Sequence, residues 1–397
     1  MIKITDYAKG KGVDVSKTPS LNSATHKFIE PDNFYSLKSV AKPETLGFVY
    51  SNGLINETKF HRILLKEWFY ACKVGGNVII EMTPNKLLDF NALVSEAKLL
   101  LGGKTKIIKK QFDKKTGKGI LIIQKTKPAL AEGDSMDKWT FGIITDGKRQ
   151  EWVDNEIESI FNLNIPQTEV VICGAYAGKF KDRIKLVPVD SKVAWICKKK
   201  NMIAENAKHE NLVITHDKYL FDRDWHDGMK KYGNYFDVLS CVIKETDGRR
   251  SADWVTLGTH WDKIAHSAWL QYRDWDKYGY IGGGFYILKK SAWKKSKWDE
   301  KLLWNQAEDV KLSRDWYDRG VLARFNPDAE CTILLMRHIG GGICAFNPKK
   351  LGRCLTRPPM FYAWYAKEAI SKHLFNVRPT ALKMYNYYIK LKSKPKK

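Results

Sequence analysis

The chain has 397 residues, 44% hydrophobic and 12% aromatic, which excludes a disordered polymer and exceeds one ordinary core, so two domains and a tail are expected. The formal net charge of +24 favours polyanions (nucleic acid, anionic lipid headgroups or phosphorylated donors), with a solvated lysine-rich surface as the competing explanation. No apolar run is long enough to span a bilayer and MIKITDYAKGKG has no signal-peptide core, so a cytoplasmic protein, at most peripheral at a membrane, is expected.

Residues 1–125 alternate strands and helices. GVDVS gives a short strand ending at Asp14, and LGFVYSNG gives a second. The amphipathic ETKFHRILLKEWFYACK predicts a helix, VGG a turn, and the β-branched NVIIEMT a buried strand. KLLDFNALVSEAKLLLGG predicts a helix stopped by Gly-Gly, and GILIIQK closes the unit as a strand. The aperiodic TKPALAEGDSMDK, residues 126–138, reads as a linker.

From Trp139 the pattern restarts. TFGIITDG is a buried strand with a turn at Asp146-Gly147, and EWVDNEIESIFNL places Val153, Ile157, Ile160 and Phe161 on one helical face. TEVVICG and IKLVPVD are further strands, the second ending at Asp190. AWICKKKNMIAENAKH is a helix, and NLVITHDKYLF a strand running into acids. Strands separated by such helices imply a right-handed parallel sheet, with ligands gathered beyond strand carboxyl ends at Asp146, Asp190 and Asp217. After Pro379, ALKMYNYYIKLKSKPKK predicts a basic aromatic helix with a lysine-rich end, suited to an anionic membrane or nucleic acid, or simply docked. The seven cysteines form no CxxC pair, which fits reduced thiols better than a disulfide framework or a zinc site.

The stretch LLKEWFYACKVGGNVIIEM resembles the latter half of a class I methyltransferase, which implies a Rossmann-like domain over 1–125. Such enzymes hold S-adenosylmethionine at a glycine-rich first strand-to-helix turn, because backbone amides must approach the ligand closely. No such turn precedes Asp14, the acid placed to meet a ribose, so a degenerate, structural or docking domain is expected. Active methyl transfer with an appended binding module is the rival.

The second half resembles GT-A glycosyltransferases of the broad family 2 type. TFGIITDG is similar to the nucleotide-contacting first strand, SIFNLNIPQTEVVICG to the helix and second strand, and KKKNMIAENAKHENLVITHDKY to the approach to the metal-binding acids. GGGFYILKKSAW and WDEKLLWNQAEDVKLSRDWYDRG resemble the acceptor side. The resemblance implies an α/β architecture: a GT-A domain over 139–350 with a mixed, mostly parallel sheet, followed by a helical basic extension over 351–397. It also implies a nucleoside-diphosphate-sugar donor and a divalent cation, manganese or magnesium, which would stabilise the departing diphosphate.

Residue by residue, the resemblance assigns Thr145, Asp146 and Asp190 to the nucleoside and Asp217 with His338 to the metal. Lys200 and Asn201 match the Lys/Arg-Asn pair directed at the nucleotide, and Gly283 and Gly284 lie in the glycine strand that passes the donor, a plain tight turn being the alternative. Asp309 takes the general-base role and Glu308 orients the acceptor, with helix capping as the competing role for both. The family's Asp-x-Asp reads Asp217-Lys218-Tyr219 here, so Asp222 or Asp224 would have to compensate, or Lys218, Lys200 or Arg183 would neutralise the diphosphate. Trp293, Trp298 and Trp304 suit either an acceptor platform or core. The acceptor is expected to be a polyanion such as hydroxymethylated viral DNA, or a lipid-linked or surface glycan. The rival class is a non-catalytic nucleic-acid-binding protein built from degenerate enzyme folds.

Overall fold

The computed structural model describes residues 2–189, 195–257, 267–302, 307–335 and 343–345. Asp190, Trp304, His338 and the 351–397 extension lie outside the described residues.

The N-terminal half is built on β1 (Gly12–Asp14), β2 (Thr25–His26), β3 (Leu46–Asn52), α1 (His61–Ala71), β4 (Cys72–Met82), α2 (Phe90–Leu101), β5 (Thr105–Asp113) and β6 (Lys118–Lys125). Its sheet runs β2-β1-β3-β4-β6-β5, with the first four strands parallel and β6 reversed between β4 and β5. The apolar runs of β3 and β4 are buried on both faces, as parallel strands covered by helices require. Asp89 caps α2 by accepting the Asn91 and Ala92 amides at 2.8 and 2.9 Å.

Two expectations change here. The VGG segment is a bulge inside β4 and not a turn: α1 runs directly into Cys72, and Gly75 takes a left-handed φ of 83° where the register to β3 slips. Asp14 is fully buried and accepts the Ser16, Ser20 and Leu21 amides at 2.9, 2.7 and 3.0 Å. It ties down its own loop from a position without access to solvent, not that of an exposed ribose-binding acid.

The second half contains β7 (Lys138–Ile144), α3 (Gln150–Phe161), β8 (Gln167–Cys173), β9 (Lys185–Val187), α4 (Ile196–Asn206), β10 (Asn211–His216), β11 (Tyr219–Phe221), α5 (Trp225–Tyr232) and β12 (Val238–Glu245). It continues with β13 (Val255–Leu257), β14 (Ser267–Trp269), β15 (Gly279–Tyr280), β16 (Phe285–Lys289), α6 (Lys290–Lys295), α7 (Glu308–Asp318) and β17 (Ala323–Ile333). Eight strands make one mixed sheet in the order β11-β17-β12-β16-β10-β7-β8-β9. The β10-β7-β8-β9 side is parallel and β16 runs against both β10 and β12. Strands β13, β14 and β15 pair separately and antiparallel. Helix α4 lies on β7, β8 and β10, and it comes close because Gly142 has no side chain: a Cβ there would meet Ile203 Cγ2 at 2.1 Å.

The expected boundary at 126–138 is a segment without helix or strand up to Lys138, yet the sheets on either side share a core. One apolar cluster runs from Val13, Leu64 and Trp68 to Tyr286, Trp298, Trp316 and Phe325. Buried charges cross the same face. Arg324 on β17 pairs with Glu67 on α1 and donates to the Asn33 and Tyr35 carbonyls at 2.6 and 2.9 Å. Lys66 meets Asp237 at 2.9 Å. Removing one partner of a buried pair strands the other, so Arg324→Ala is expected to cost about 3–5 kcal/mol in urea unfolding. A loss below about 1 kcal/mol would show that the shared apolar core alone holds the halves together.

Candidate functional site

Strands β7 and β10 are parallel neighbours with Ile144 opposite His216, so Thr145, Asp146 and Asp217 leave the sheet together at its carboxyl edge. Asp217 is 5% exposed. Its Oδ2 accepts the Thr145 hydroxyl at 2.8 Å and its Oδ1 accepts Nη1 of Arg149 at 2.9 Å. Burial raises the Asp217 pKa above its ordinary value, although both bonds oppose the shift. Lys199 on α4 donates to the Thr145 carbonyl at 2.6 Å. Asp146 is exposed and pairs with Lys148 at 3.0 Å.

A hard cation prefers several carboxylate oxygens. Here Asp217 already carries the Arg149 guanidinium, so a cation would sit beside a fixed positive charge, and the second acidic position is Tyr219, buried with its ring 5.2 Å from that of Phe285. Asp222 and Asp224 line a separate groove with Asp328 and Glu330, away from Asp217. Among the described residues, no group of three or more His, Cys, Asp or Glu side chains could hold a metal ion. Among the described residues, therefore, the donors at this strand end do not fit the expected cation, and His338 lies outside them.

The acid pair opens α7. Asp309 Oδ2 accepts the Gly283 amide at 3.0 Å and Oδ1 accepts the Val310 amide at 2.8 Å, so one oxygen does serve the helix start. Burial, followed by the neighbouring Glu308 charge, raises its pKa from 3.8 to about 6. Glu308 is buried and accepts Lys200 Nζ at 3.2 Å. Lys200 is fully buried, donates also to the Gly283 carbonyl at 2.7 Å, and lies over the Tyr286 ring at 5.0 Å. A Cβ on Gly283 would stand 2.6 Å from Glu308 Oε1, and one on Gly284 would stand 2.6 Å from the Tyr219 hydroxyl. The glycines are therefore demanded by the acid pair and Tyr219.

Two links join these clusters. The His216 amide donates to the Gly284 carbonyl at 3.0 Å, and consecutive residues of α4, Lys199 and Lys200, reach one cluster each. Asn201 turns the other way. Its amide donates to the Trp298 carbonyl and Glu300 at 2.9 and 3.0 Å, while its oxygen accepts the Trp293 indole and the Trp298 amide at 3.0 and 3.1 Å. With Lys200 bound internally as well, this pair braces the site from behind. Trp293 and Trp298 are core. Arg183 stacks 4.1 Å over Phe161, and Lys218 donates to the Leu335 carbonyl at 3.2 Å.

No sequence signal marks Arg149, Lys199 or Glu156 as site residues. Arg149 and Lys199 look like ordinary surface charge in GKRQ and CKKKN. Glu156 lies on α3 beneath the end of β10, accepting the Thr215 hydroxyl at 2.5 Å and the Tyr219 amide at 3.4 Å, and burial raises its pKa well above the usual carboxylate range. It braces the turn that presents Asp217.

No protein-family model and no curated protein matches this chain. Among solved structures, residues 1–349 of S. aureus TarS align with a TM-score of 0.38 and 14% identity, over 50% of this chain and 60% of that one. GalNAc-T7 with UDP, GalNAc and Mn2+ aligns with a TM-score of 0.37 and 12% identity, over 52% of this chain and 45% of that one. TarS 1–349 in complex with UDP-GlcNAc gives 0.35 and 13%, over 51% and 60%. This chain thus covers less than two thirds of each of these structures, and overlaps of that extent leave function to the site's own residues.

Gly283→Ala must displace either the turn or the acid pair. A loss of about 1–3 kcal/mol in urea unfolding is expected. Gly103→Ala, where a Cβ meets open space, is the control and is expected to stay within about 0.5 kcal/mol.

Proposed function

We propose that the chain is a GT-A-type glycosyltransferase that moves a sugar from a nucleoside diphosphate to an acceptor hydroxyl with inversion. The observation that carries the reading is a convergence. A cationic cluster at the ends of β7 and β10 is tied through the His216–Gly284 bond to a carboxyl group whose pKa stands near 6. A transferase of this kind needs both: positive charge for the departing diphosphate and a base for the incoming hydroxyl.

In this reading Asp309 takes the acceptor proton as the hydroxyl oxygen attacks the anomeric carbon, the bond from that carbon to the phosphate oxygen breaks, and the nucleoside diphosphate leaves. Glu308, held by Lys200, fixes the height of Asp309 at the glycine turn. Thr145 and Asp146, together with Asp190, belong to the nucleoside side. The N-terminal half is proposed as a degenerate methyltransferase-like scaffold, consistent with Asp14 being consumed by its own loop. The charge of +24 supports a polyanionic acceptor such as modified DNA over an uncharged one, and a glycan at an anionic membrane fits the same charge.

Asp309→Asn is expected to lower sugar transfer at least about 100-fold while leaving nucleotide affinity unchanged. Full activity in that variant would remove the base assignment. Because the base works deprotonated, wild-type turnover should fall as pH drops through about 6, and the residual turnover of Asp309→Asn should lack that limb. A DNA acceptor predicts duplex binding that weakens steeply with salt, whereas a membrane glycan predicts binding to anionic liposomes.

A further inference from the structure

We infer that Arg149, in place of a divalent cation, supplies the counter-charge for the donor's diphosphate, so that this chain binds its donor without metal. The inference rests on the glycosyltransferase reading and names how its donor site is charged.

The position where the resemblance expects a metal is already organised around a guanidinium. Asp217 is the carboxylate at the strand end, and Arg149 and Thr145 hold its two oxygens at 2.9 and 2.8 Å. A cation seated there would have to displace Arg149 from a buried carboxylate or sit beside its positive charge. A second carboxylate that would outweigh that repulsion is replaced by Tyr219, whose hydroxyl faces the Gly284 backbone. The acids that follow, Asp222 and Asp224, open on a different groove.

Arg149 itself is presented as a ligand-binding group. Its guanidinium has a planar fork of five N–H donors, and only Nη1 is spent, on Asp217. Nε and Nη2 have no hydrogen-bond partner among the described residues, and the side chain is 36% exposed. The residue stands directly before α3, with the guanidinium carbon 5.2 Å from the Trp152 ring. One edge is thus fixed by a buried carboxylate while the other has no partner among the described residues. A fork held in this way matches two phosphate oxygens, where a lysine would act as a point charge. Lys199, bound to the Thr145 carbonyl, adds a second ammonium to the same edge.

The roles of the neighbouring residues follow. Asp217 is a positioning residue that aims Arg149, and Thr145 fixes the carboxylate rotamer that does so. Glu156 braces the turn that carries Asp217.

Calorimetry of the full chain with a panel of nucleoside diphosphates, in excess EDTA and in excess Mn2+, tests the inference. The expected result is one preferred nucleotide whose Kd in EDTA lies within about threefold of that in Mn2+, a difference below 1 kcal/mol. Arg149→Gln should weaken it about 10- to 100-fold in both conditions, as loss of charged hydrogen bonds predicts. Should Arg149→Gln fail to fold by stranding Asp217, the double variant Arg149→Gln/Asp217→Asn removes the stranded charge and must show the same loss. Binding abolished by EDTA, restored by Mn2+ and indifferent to Arg149→Gln would overturn the inference and leave the glycosyltransferase reading standing. No binding of any nucleoside diphosphate in either condition would overturn both.

Discussion

A buried lysine sets the geometry of the candidate site. Lys200 has no access to water, and an ammonium in that position must find acceptors within the protein. It finds the Gly283 carbonyl and the Glu308 carboxylate, and those two bonds seat the glycine turn against the start of α7. Asp309 then has little freedom, with one oxygen on the Gly283 amide and the other on its own helix. Because Lys199 immediately precedes it on α4 and reaches the end of β7, the same helix sets the spacing between the acid pair and the cationic cluster. Gly142 makes the arrangement possible by letting α4 settle onto the sheet. A site assembled from four separate segments is in this way referred to one rigid element.

The N-terminal half contributes to that rigidity from behind. The core that buries Tyr286 and Trp298, the rings beside Lys200, continues through Trp316 and Phe325 into Leu64 and Trp68. Charged contacts through Arg324 and Lys66 fix the register of that shared face, because a buried ion pair tolerates little displacement. The N-terminal half is thus a structural support for the site, and its buried acid, Asp14, ties down its own loop.

Much of the fold was legible in sequence where strands are central. FGII, VVIC, LVIT and NVIIE are continuous apolar runs because both faces of those strands are covered. Strand β5, TKIIKKQFD, escaped notice because it is an edge strand studded with exposed lysines, a device that discourages pairing with other chains. Strand β17 hid behind Pro327 and Asp328, which sit where its register to β12 shifts. Within the site, acids at strand and helix ends were readable as positions, since topology alone places them. What their partners would be was not. Asn201 is claimed by tryptophans more than ninety residues away, and Arg149 finds Asp217 across 68 residues, so a local motif shows neither.

The proposed site requires one ligand to span both clusters, with its diphosphate at Arg149 and its sugar at Asp309. The most direct measurement is a crystal structure of the chain with the nucleoside-diphosphate sugar it prefers. Phosphate oxygens are expected within hydrogen-bond distance of Nε or Nη2 of Arg149, with the anomeric carbon turned toward the Asp309 carboxylate. A ligand bound with its phosphates away from Arg149, or with its sugar on the far side of the Gly283 turn from Asp309, would contradict the proposed site.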